Sequence, residues 1–192
     1  MEKNTRDVAK FHRYVRYWKP QYEVWPFVYG DEIASTMSIG SSIYIIHFFR
    51  KQLKIRQYGR LTCYTPVVGL ASFFTYALQS IYVTEDILME KSCPLCVSLR
   101  ASLGHVAFGV VYPMILAPII GFFLADKLLT YPVPSLTRAP KETLNVWLRL
   151  VKKNTRAFSI LAALHFAGAM FITYQKEKSY FELKLKSQPA VK

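Results

Sequence analysis

The fold is decided by residues 101–125, which read ASLGHVAFGVVYPMILAPIIGFFLA and include no Asp, Glu, Lys or Arg. An α-helix rises about 1.5 Å per residue, so about 20 apolar residues cross a hydrocarbon layer roughly 30 Å thick. This stretch of 25 residues therefore has the length of a transmembrane helix. For one such stretch alone, a buried helix of a soluble core is the alternative interpretation.

Three more stretches lack charged residues, and they cover residues 33–49, 61–83 and 157–174. Together with the first stretch they hold 83 of the 192 residues. A soluble chain of this size has too little polar sequence left to cover four such helices. We therefore predict an all-α membrane protein with four transmembrane helices, one over each stretch.

The predicted spans divide the chain into three regions. A basic, aromatic tail covers residues 1–30, the four-span membrane domain covers residues 31–175, and a basic C-terminal tail covers residues 176–192. Hydrophobic residues make up 52% of the chain and charged residues only 19%, which excludes a disordered protein. The 25 Lys and Arg outnumber the 12 Asp and Glu, so the sequence outside the predicted spans is basic when taken together.

Basic residues are concentrated in two of the three predicted loops. Residues 50–60 carry five basic residues and no acid, and residues 126–156 carry seven against two. Residues 84–100 carry three acids and two basic residues. The positive-inside rule places the two basic loops on the cytosolic or matrix side. Both termini and the acidic loop are then expected on the opposite side.

Eight aromatic side chains lie among basic residues in the stretch 11–29. This pattern occurs in nucleic-acid-binding segments, but its place directly before a membrane span favours an aromatic belt at the membrane surface. No nucleic-acid partner is therefore expected. Pro20 and Pro26 exclude one continuous helix, so we expect the tail to lie along the lipid headgroups or on a partner.

The third loop contains an amphipathic pattern between residues 141 and 156. Its apolar positions, i, i+3, i+4 and i+7, are Leu144, Trp147, Leu148 and Val151, and its basic positions are Arg149, Lys152, Lys153 and Arg156. This spacing predicts a surface helix that binds an anionic membrane, with Trp147, Arg149, Lys152 and Lys153 as the contact residues. A helix docked on a partner protein is the alternative.

The sequence offers little for catalysis or ion transport. Transport pathways usually carry charged residues inside the membrane, and the four stretches contain none. His105 and His165 are expected at different depths on helices that run in opposite directions, so no shared metal site is predicted. The sequence shows no nucleotide loop, no pair of catalytic carboxylates and no nucleophile elbow. We therefore expect a protein that is not an enzyme and has no cofactor.

Cys93-Pro-Leu-Cys96 is the most specific local motif. Zinc needs four ligands, and the third cysteine, Cys63, is expected at the opposite membrane face. A disulfide between Cys93 and Cys96 in an oxidising compartment, a pair of free thiols and a redox-active dithiol are the three remaining interpretations.

The third span is expected to kink between Gly109 and Pro113. Proline has no N–H, so the carbonyl of Gly109 loses its helical donor, and an unpaired polar group in hydrocarbon is costly. Gly104 lets another helix approach closely. We predict that Gly104, Gly109, Tyr112 and Pro113 form a helix-packing face that contacts a partner helix. A kink with only intramolecular contacts is the alternative.

These residues resemble a known family. The series Cys93-x-x-Cys96, Arg100, Leu103, Gly109, Tyr112-Pro113 and Pro118 is similar to the corresponding part of the transmembrane protein 126 family. Pro66 and Gly69 in the second span and Trp147 and Arg149 in the third loop are also similar to that family. The resemblance covers about residues 33–180 and leaves out the aromatic tail.

The resemblance implies a multi-pass protein of the mitochondrial inner membrane that acts as a non-catalytic scaffold or assembly factor for the membrane arm of respiratory complex I. A retained accessory component of that complex is a variant of the same expectation. Its implied partners are hydrophobic complex I subunits, assembly proteins and anionic inner-membrane lipid. The basic loops would then face the matrix, and the termini the intermembrane space. A small-molecule or lipid carrier of the inner membrane is the alternative, because Pro113 and Pro118 can interrupt the third span.

Overall fold

The computed structural model describes residues 2–55, 57–89, 93–130 and 140–187, and every regular element in these ranges is helical. The elements are α1 (Glu2–Tyr17), a 3₁₀ turn (Gln21–Glu23), α2 (Trp25–Val28), α3 (Gly30–Gln52), α4 (Arg60–Ala77), a π-helix (Leu78–Val83), α5 (Thr84–Met89), α6 (Pro94–Val106), a second π-helix (Ala107–Val111), α7 (Tyr112–Leu128), α8 (Pro140–Lys153) and α9 (Thr155–Ser187).

Among the residues that the structure describes, three continuous helices are long and apolar enough to cross a membrane, namely Arg60–Met89, Pro94–Leu128 and Thr155–Lys186. The predicted all-helical, multi-pass character is thus confirmed. The fourth predicted span lies in α3, which has 23 residues but is more polar, because five Ser and Thr residues lie between residues 35 and 42. The count of four spans therefore stays a prediction.

Both terminal segments meet at one end of the bundle, which we call the terminal end. Val15 of α1, Val24 and Phe27 pack against Leu183 near the end of α9. Tyr180 of α9 also packs against a cluster formed by α5 and α6 and their flanks, namely Val83, Ile87, Val97 and Ala101. The described parts of the two tails and of the loop 84–100 therefore lie together.

The opposite end, which we call the loop end, joins the two basic loops. The ammonium of Lys153 donates a hydrogen bond to Gln52 Oε1 at 3.0 Å. The hydroxyl of Thr130 donates to the carbonyl of Leu53 at 3.3 Å. Since α3 begins at the terminal end and Gln52 ends it at the loop end, α3 runs the full length of the bundle.

The largest apolar core lies toward the loop end. Phe49 stacks on Phe158 with ring centroids 6.4 Å apart, and Phe48 meets Phe158 edge-on at 5.4 Å. The other buried members come mainly from α3, α4, α7 and the loop after α3, namely Ile45, Ile46, Leu53, Ile55, Cys63, Val67, Val110, Ala117, Phe122, Ala125 and Leu150. This core fixes the helices on which the polar groups described below are placed.

The N-terminal segment is folded onto the bundle. The helix α1 ends at Tyr17, before Pro20, and Pro26 lies in the first turn of α2, so no continuous helix runs through the two prolines, as predicted. Phe11 of α1 meets Phe27 edge-on at 5.1 Å between ring centroids. This segment packs on the first part of α3 and the last turns of α9. Its predicted contact with lipid headgroups or with a partner stays a prediction.

Candidate functional site

Cys93 and Cys96 form a disulfide at the start of α6. The Sγ atom of Cys93 also accepts a hydrogen bond from the backbone N–H of Cys96 at 3.2 Å, which caps the helix, and Pro94 occupies the first helical position. Cys63 is buried in the core near the loop end. The disulfide therefore fixes the beginning of α6 at the terminal end, and the third thiol is too far away to exchange with it.

At the position where a kink was predicted, the third span contains a π-helix over Ala107–Val111, which ends two residues before Pro113. The carbonyl of Gly109, which Pro113 leaves without a donor, accepts a hydrogen bond from the hydroxyl of Ser41 at 2.8 Å. A π-helical turn and a donor from a neighbouring helix are the means by which a membrane protein satisfies such a carbonyl. The carbonyl of Gly109, which the sequence analysis expected to lack a helical donor, thus accepts a hydrogen bond from a side chain of α3.

The space beside the small residues in this part of the third span is occupied by side chains of the same chain. A methyl group added at Gly109 would overlap the ring of His165. One added at Gly104 would lie 2.5 Å from Leu78 Cδ2. The hydroxyl of Tyr112 donates to the carbonyl of Pro66 at 3.5 Å, and Pro113 is buried. These four positions therefore serve helix packing within the chain, and their contact with a partner helix stays a prediction.

Helix α8 covers the region in which the surface helix was predicted. The indole Nε1 of Trp147 donates to the carbonyl of Met114 at 3.0 Å. Met114 lies four residues before Pro118, so Trp147 supplies the hydrogen bond that this proline cannot. Trp147 is half-buried against α7, whereas Arg149 and Lys152 are exposed. Of the four predicted contact residues, Trp147 thus also has a structural role, and Lys153 binds Gln52.

A buried ion pair joins α3 to α9 near the terminal end. The ammonium of Lys176 lies 2.5 Å from Asp31 Oδ1, and the two side chains are 0% and 5% exposed. The same ammonium donates to the carbonyl of Gln79 at 2.9 Å and to Thr84 Oγ1 at 3.3 Å. Gln79 belongs to the π-helix Leu78–Val83, so Lys176 binds a carbonyl that lies in an irregular part of the helix.

The sequence analysis missed this pair. Asp31 lies two residues before the stretch 33–49, and Lys176 lies two residues after the stretch 157–174. Counting charges inside the stretches therefore could not find them, because the buried pair lies just outside two of the charge-free stretches. A usable signal was present, because an acid and a base flank two spans at ends that the predicted topology places on the same side.

Two histidines meet in the interior, contrary to expectation. The rings of His105 and His165 are 6.3 Å apart between centroids, because α6 and α9 pack side by side in opposite directions. The prediction of different depths was wrong, because the relative shift of two helices is not encoded in residue counting. His165 Nε2 lies 3.0 Å from Ser41 Oγ. Within the described ranges, no three His, Cys, Asp or Glu side chains are grouped to hold a metal ion.

A second ion pair lies at the surface of the terminal end. The ammonium of Lys186 donates to Glu23 Oε1 at 2.6 Å and joins the end of α9 to the 3₁₀ turn that follows α1. This hydrogen bond holds the pKa of Glu23 below its usual value. The charged form of Glu23 is therefore favoured by the docking of the N-terminal segment.

Comparison with known proteins agrees with the resemblance drawn from the Cys93 to Pro118 motif. A family model described as Transmembrane protein 126 matches residues 12–190. The chain belongs to the transmembrane protein 126 family. Transmembrane protein 126 of Drosophila melanogaster is 32% identical over 171 residues, which cover 88% of this chain and 77% of that protein. No solved structure matches the chain.

Membership of the transmembrane protein 126 family confirms the sequence-based assignment and widens it. The resemblance covered about residues 33–180, whereas the match begins at residue 12 and so includes most of the aromatic tail. The ion-paired residues Asp31 and Lys176 also fall within the matched range. The family match thus covers both the apolar bundle and the terminal end that is folded onto it.

Proposed function

We propose that this protein is a non-catalytic scaffold of the mitochondrial inner membrane that assists the building of the membrane arm of respiratory complex I. Membership of the transmembrane protein 126 family is the observation that carries the proposal. The apolar helices fit a protein that packs against hydrophobic subunits inside a membrane. A retained accessory component of complex I is the second form of the same proposal.

The proposal includes α3 as a fourth transmembrane helix. Its supporting feature is position: α3 starts beside Lys176 at the terminal end and finishes beside Lys153 at the loop end, as a crossing helix must. Its polar residues Ser38, Ser41 and Ser42 are buried in the bundle and so do not face lipid. A helix that hides its polar side chains from lipid can span a membrane at a hydropathy below that of its neighbours.

The proposal also includes membrane contact by α8. Leu144 and Leu148 are 53% and 40% exposed, next to the exposed Arg149 and Lys152. Each basic residue near an anionic surface contributes about 1 kcal/mol of binding. We expect Arg149→Gln with Lys152→Gln to weaken association of the loop end with cardiolipin-containing vesicles. Exchange of Lys178 to Gln at the terminal end is the matched control and should have no effect there.

The terminal end is assigned to the intermembrane space and the loop end to the matrix. The support is the excess of basic residues in residues 50–60 and 126–156, which meet at the loop end. Tags at both chain ends should be digested by protease in mitoplasts and protected in intact mitochondria. Tags that survive in mitoplasts would contradict the assignment.

Migration on native gels followed by mass spectrometry tests the function itself. An assembly factor migrates with complex I intermediates and is absent from the finished complex, whereas a retained component also migrates with the finished complex. Loss of the protein should reduce assembled complex I. A protein that migrates with neither species, and whose loss leaves complex I unchanged, would contradict both forms of the proposal.

Gly40 and Gly69 offer a sharper test of partner contact. Both are exposed, and a methyl group added at either would meet no atom within 4 Å. We expect Gly69→Leu and Gly40→Leu to leave the amount of protein unchanged, so that any loss of co-purified subunits reports a blocked partner surface. Gly109→Leu is the comparison, because it should lower the amount of the protein itself through its clash with His165.

One observation supports the carrier alternative. An apolar groove of about 340 Å³ lies between α7 and α8 and is bordered by Pro118, Phe122, Leu144 and Trp147. Its volume and lining fit part of an acyl chain. Lipid exchange between vesicles that contain the purified protein would favour a carrier. Defective complex I assembly without lipid exchange would exclude it.

A further inference from the structure

We propose that the terminal end holds a binding site for the headgroup of a zwitterionic phospholipid that carries a primary ammonium, as phosphatidylethanolamine does. The site is a pocket of about 460 Å³ between α1, α2, the first turn of α3 and the end of α4. The pocket walls that matter for recognition are Arg13, Arg16, Tyr17, Glu32 and Tyr76. It combines two cationic groups and one free carboxylate in a single recess.

The phosphate is recognised by α1. Arg13 and Arg16 are three positions apart, which places both guanidinium groups on the same face of the helix. Both are exposed, and neither forms an ion pair with any residue that the structure describes. The planar guanidinium matches phosphate oxygens with two parallel hydrogen bonds. Two such groups facing one pocket fit one phosphodiester.

The ammonium is recognised by α3. Two carboxylates border the pocket, and Asp31 is already held by the ammonium of Lys176 at 2.5 Å. Glu32 is exposed and has no ion-pair partner among the described side chains. A primary ammonium can donate three hydrogen bonds and suits a carboxylate, whereas the trimethylammonium of choline prefers an aromatic cage. Because Tyr17 is 80% exposed, it does not complete such a cage.

The pocket lies at the depth where a headgroup would be. Glu32 is in the first turn of α3, and Tyr76 is in the last turn of α4, so both border the end of the membrane bundle. Tyrosines are common at this interface. Phe73 lies about one turn deeper than Tyr76 on α4 and is 61% exposed. Ile33 directly follows Glu32 and is 44% exposed, so the two side chains offer an apolar surface for acyl chains. This placement rests on the proposed membrane crossing of α3.

Binding of short-chain lipids to the purified full chain in detergent tests the site without requiring that crossing. Dihexanoyl phosphatidylethanolamine, phosphatidylcholine and phosphatidylglycerol are compared by native mass spectrometry or calorimetry. We expect the ethanolamine lipid to bind at least about tenfold more tightly than the other two. Inorganic phosphate at the same concentration should not displace it, because phosphate alone lacks the contact with Glu32.

Variants test the contacts with the phosphate and with the ammonium of the headgroup separately. Arg13→Gln with Arg16→Gln should weaken binding of the ethanolamine lipid by about tenfold or more. Glu32→Gln should remove the preference for ethanolamine over glycerol while leaving phosphatidylglycerol bound. Lys51→Gln with Arg60→Gln, two exposed basic residues at the loop end, should change neither. Because the three pocket residues are exposed and form no ion pair, these variants should keep the thermal midpoint of the natural chain.

Several results would overturn the proposal. Equal binding of all three lipids would mean that no headgroup is recognised, and tighter binding of phosphatidylglycerol would mean a purely anionic site. Unchanged binding in the double arginine variant would place the lipid elsewhere. None of these outcomes depends on complex I, so a failure here is distinct from a failure of the assembly role, which is read from native gels.

Discussion

Ser41 donates from its hydroxyl to the carbonyl of Gly109 at 2.8 Å and so supplies the hydrogen bond that Pro113 cannot make. The same solution recurs one and a half turns later, where Trp147 donates to the carbonyl of Met114 beside Pro118 at 3.0 Å. Two prolines in one apolar helix are thus tolerated, because side chains of two other helices, α3 and α8, donate to the carbonyls that the prolines leave without a helical donor.

Replacing Ser41 by Ala should lower the free energy of unfolding by about 1–3 kcal/mol, because a buried carbonyl loses its partner. The cost should be smaller in a chain that also carries Pro113→Ala, since an alanine restores a helical N–H donor near Gly109. Unfolding in detergent of the two single variants and the double variant measures this coupling. Additive costs would show that Ser41 and Pro113 do not act on the same carbonyl.

Ser35→Ala is the matched control for that experiment. Its hydroxyl contacts the carbonyl of Ser72 at the longer distance of 3.4 Å and is only part-buried. We expect a smaller loss of stability than at Ser41, of no more than about 1 kcal/mol.

Gly109→Ala should destabilise the chain by about 1–3 kcal/mol, because the added methyl overlaps the ring of His165 and the core must move to admit it. Gly40→Ala should be neutral or stabilising by up to about 1 kcal/mol, since that site faces open space and alanine favours a helix. Thermal unfolding in the same detergent compares the two. A tolerated alanine at Gly109 would indicate that His165 lies elsewhere.

Removing one partner of the buried ion pair should be costly. Lys176→Met leaves the carboxylate of Asp31 buried without its cation, and we expect a loss of about 3–5 kcal/mol or failure to accumulate. The double variant Asp31→Leu with Lys176→Met should recover much of that loss, because no lone charge remains. Unfolding curves and the amount of membrane-inserted protein are the measurements.

The exposed pair of Lys178 and Glu182 is the control for the buried one. Their charged atoms are 4.0 Å apart, and the side chains are 58% and 48% exposed. Lys178→Met should cost at most about 0.5 kcal/mol. Equal costs at Lys178 and Lys176 would contradict the burial of the inner pair.

Docking of the N-terminal segment should weaken in acid. The lowered pKa of Glu23 means that its contribution is complete above the usual carboxyl value of 4.5 and is lost as the pH falls through the lowered value. The carboxyl carbon resonance of Glu23 should titrate at a higher pH in Lys186→Gln than in the natural chain. An identical titration in both chains would show that the two side chains do not interact.

The cysteines should differ in reactivity. In denatured, unreduced protein a maleimide should modify only Cys63, and reduction should expose two further thiols at Cys93 and Cys96. Breaking the disulfide by Cys96→Ser should lower stability by about 2 kcal/mol according to the loop-entropy relation for a four-residue loop. Three modified thiols before reduction would contradict the disulfide.

The apolar helices were predictable because the signal is local. A charge-free stretch such as 101–125 needs only its own composition to be recognised, and a departure from regular α-helix near Pro113 followed from the missing N–H of that proline. The donor that satisfies Gly109 was not predictable, because Ser41 is 68 residues away and only helix packing brings it there. The charge bias of the loops likewise anticipated which loops meet, but not the contact of Lys153 with Gln52.

The contacts between polar side chains inside the bundle could not be predicted from the sequence, for a related reason. His105 and His165 share a depth only because α6 and α9 are shifted by a particular amount, and that shift brings His165 against Gly109. The docking of α1 on α9 was also missed, since its aromatic residues fit a lipid interface and a protein core equally well. Composition cannot separate these two surroundings for residues such as Phe11 and Phe27.

The pairing of Asp31 with Lys176 also has a consequence for how the chain is made. The two residues are 145 positions apart, so Asp31 leaves the ribosome long before its partner has been synthesised. Until α9 has been made, the carboxylate of Asp31 in α3 has no cation from α9 beside it. The N-terminal segment likewise cannot dock on α9 before α9 exists. The N-terminal segment and the start of α3 can therefore reach their final packing only after α9 is complete. A chain that stops before residue 176 would leave the carboxylate of Asp31 without the cation that pairs with it in the folded bundle.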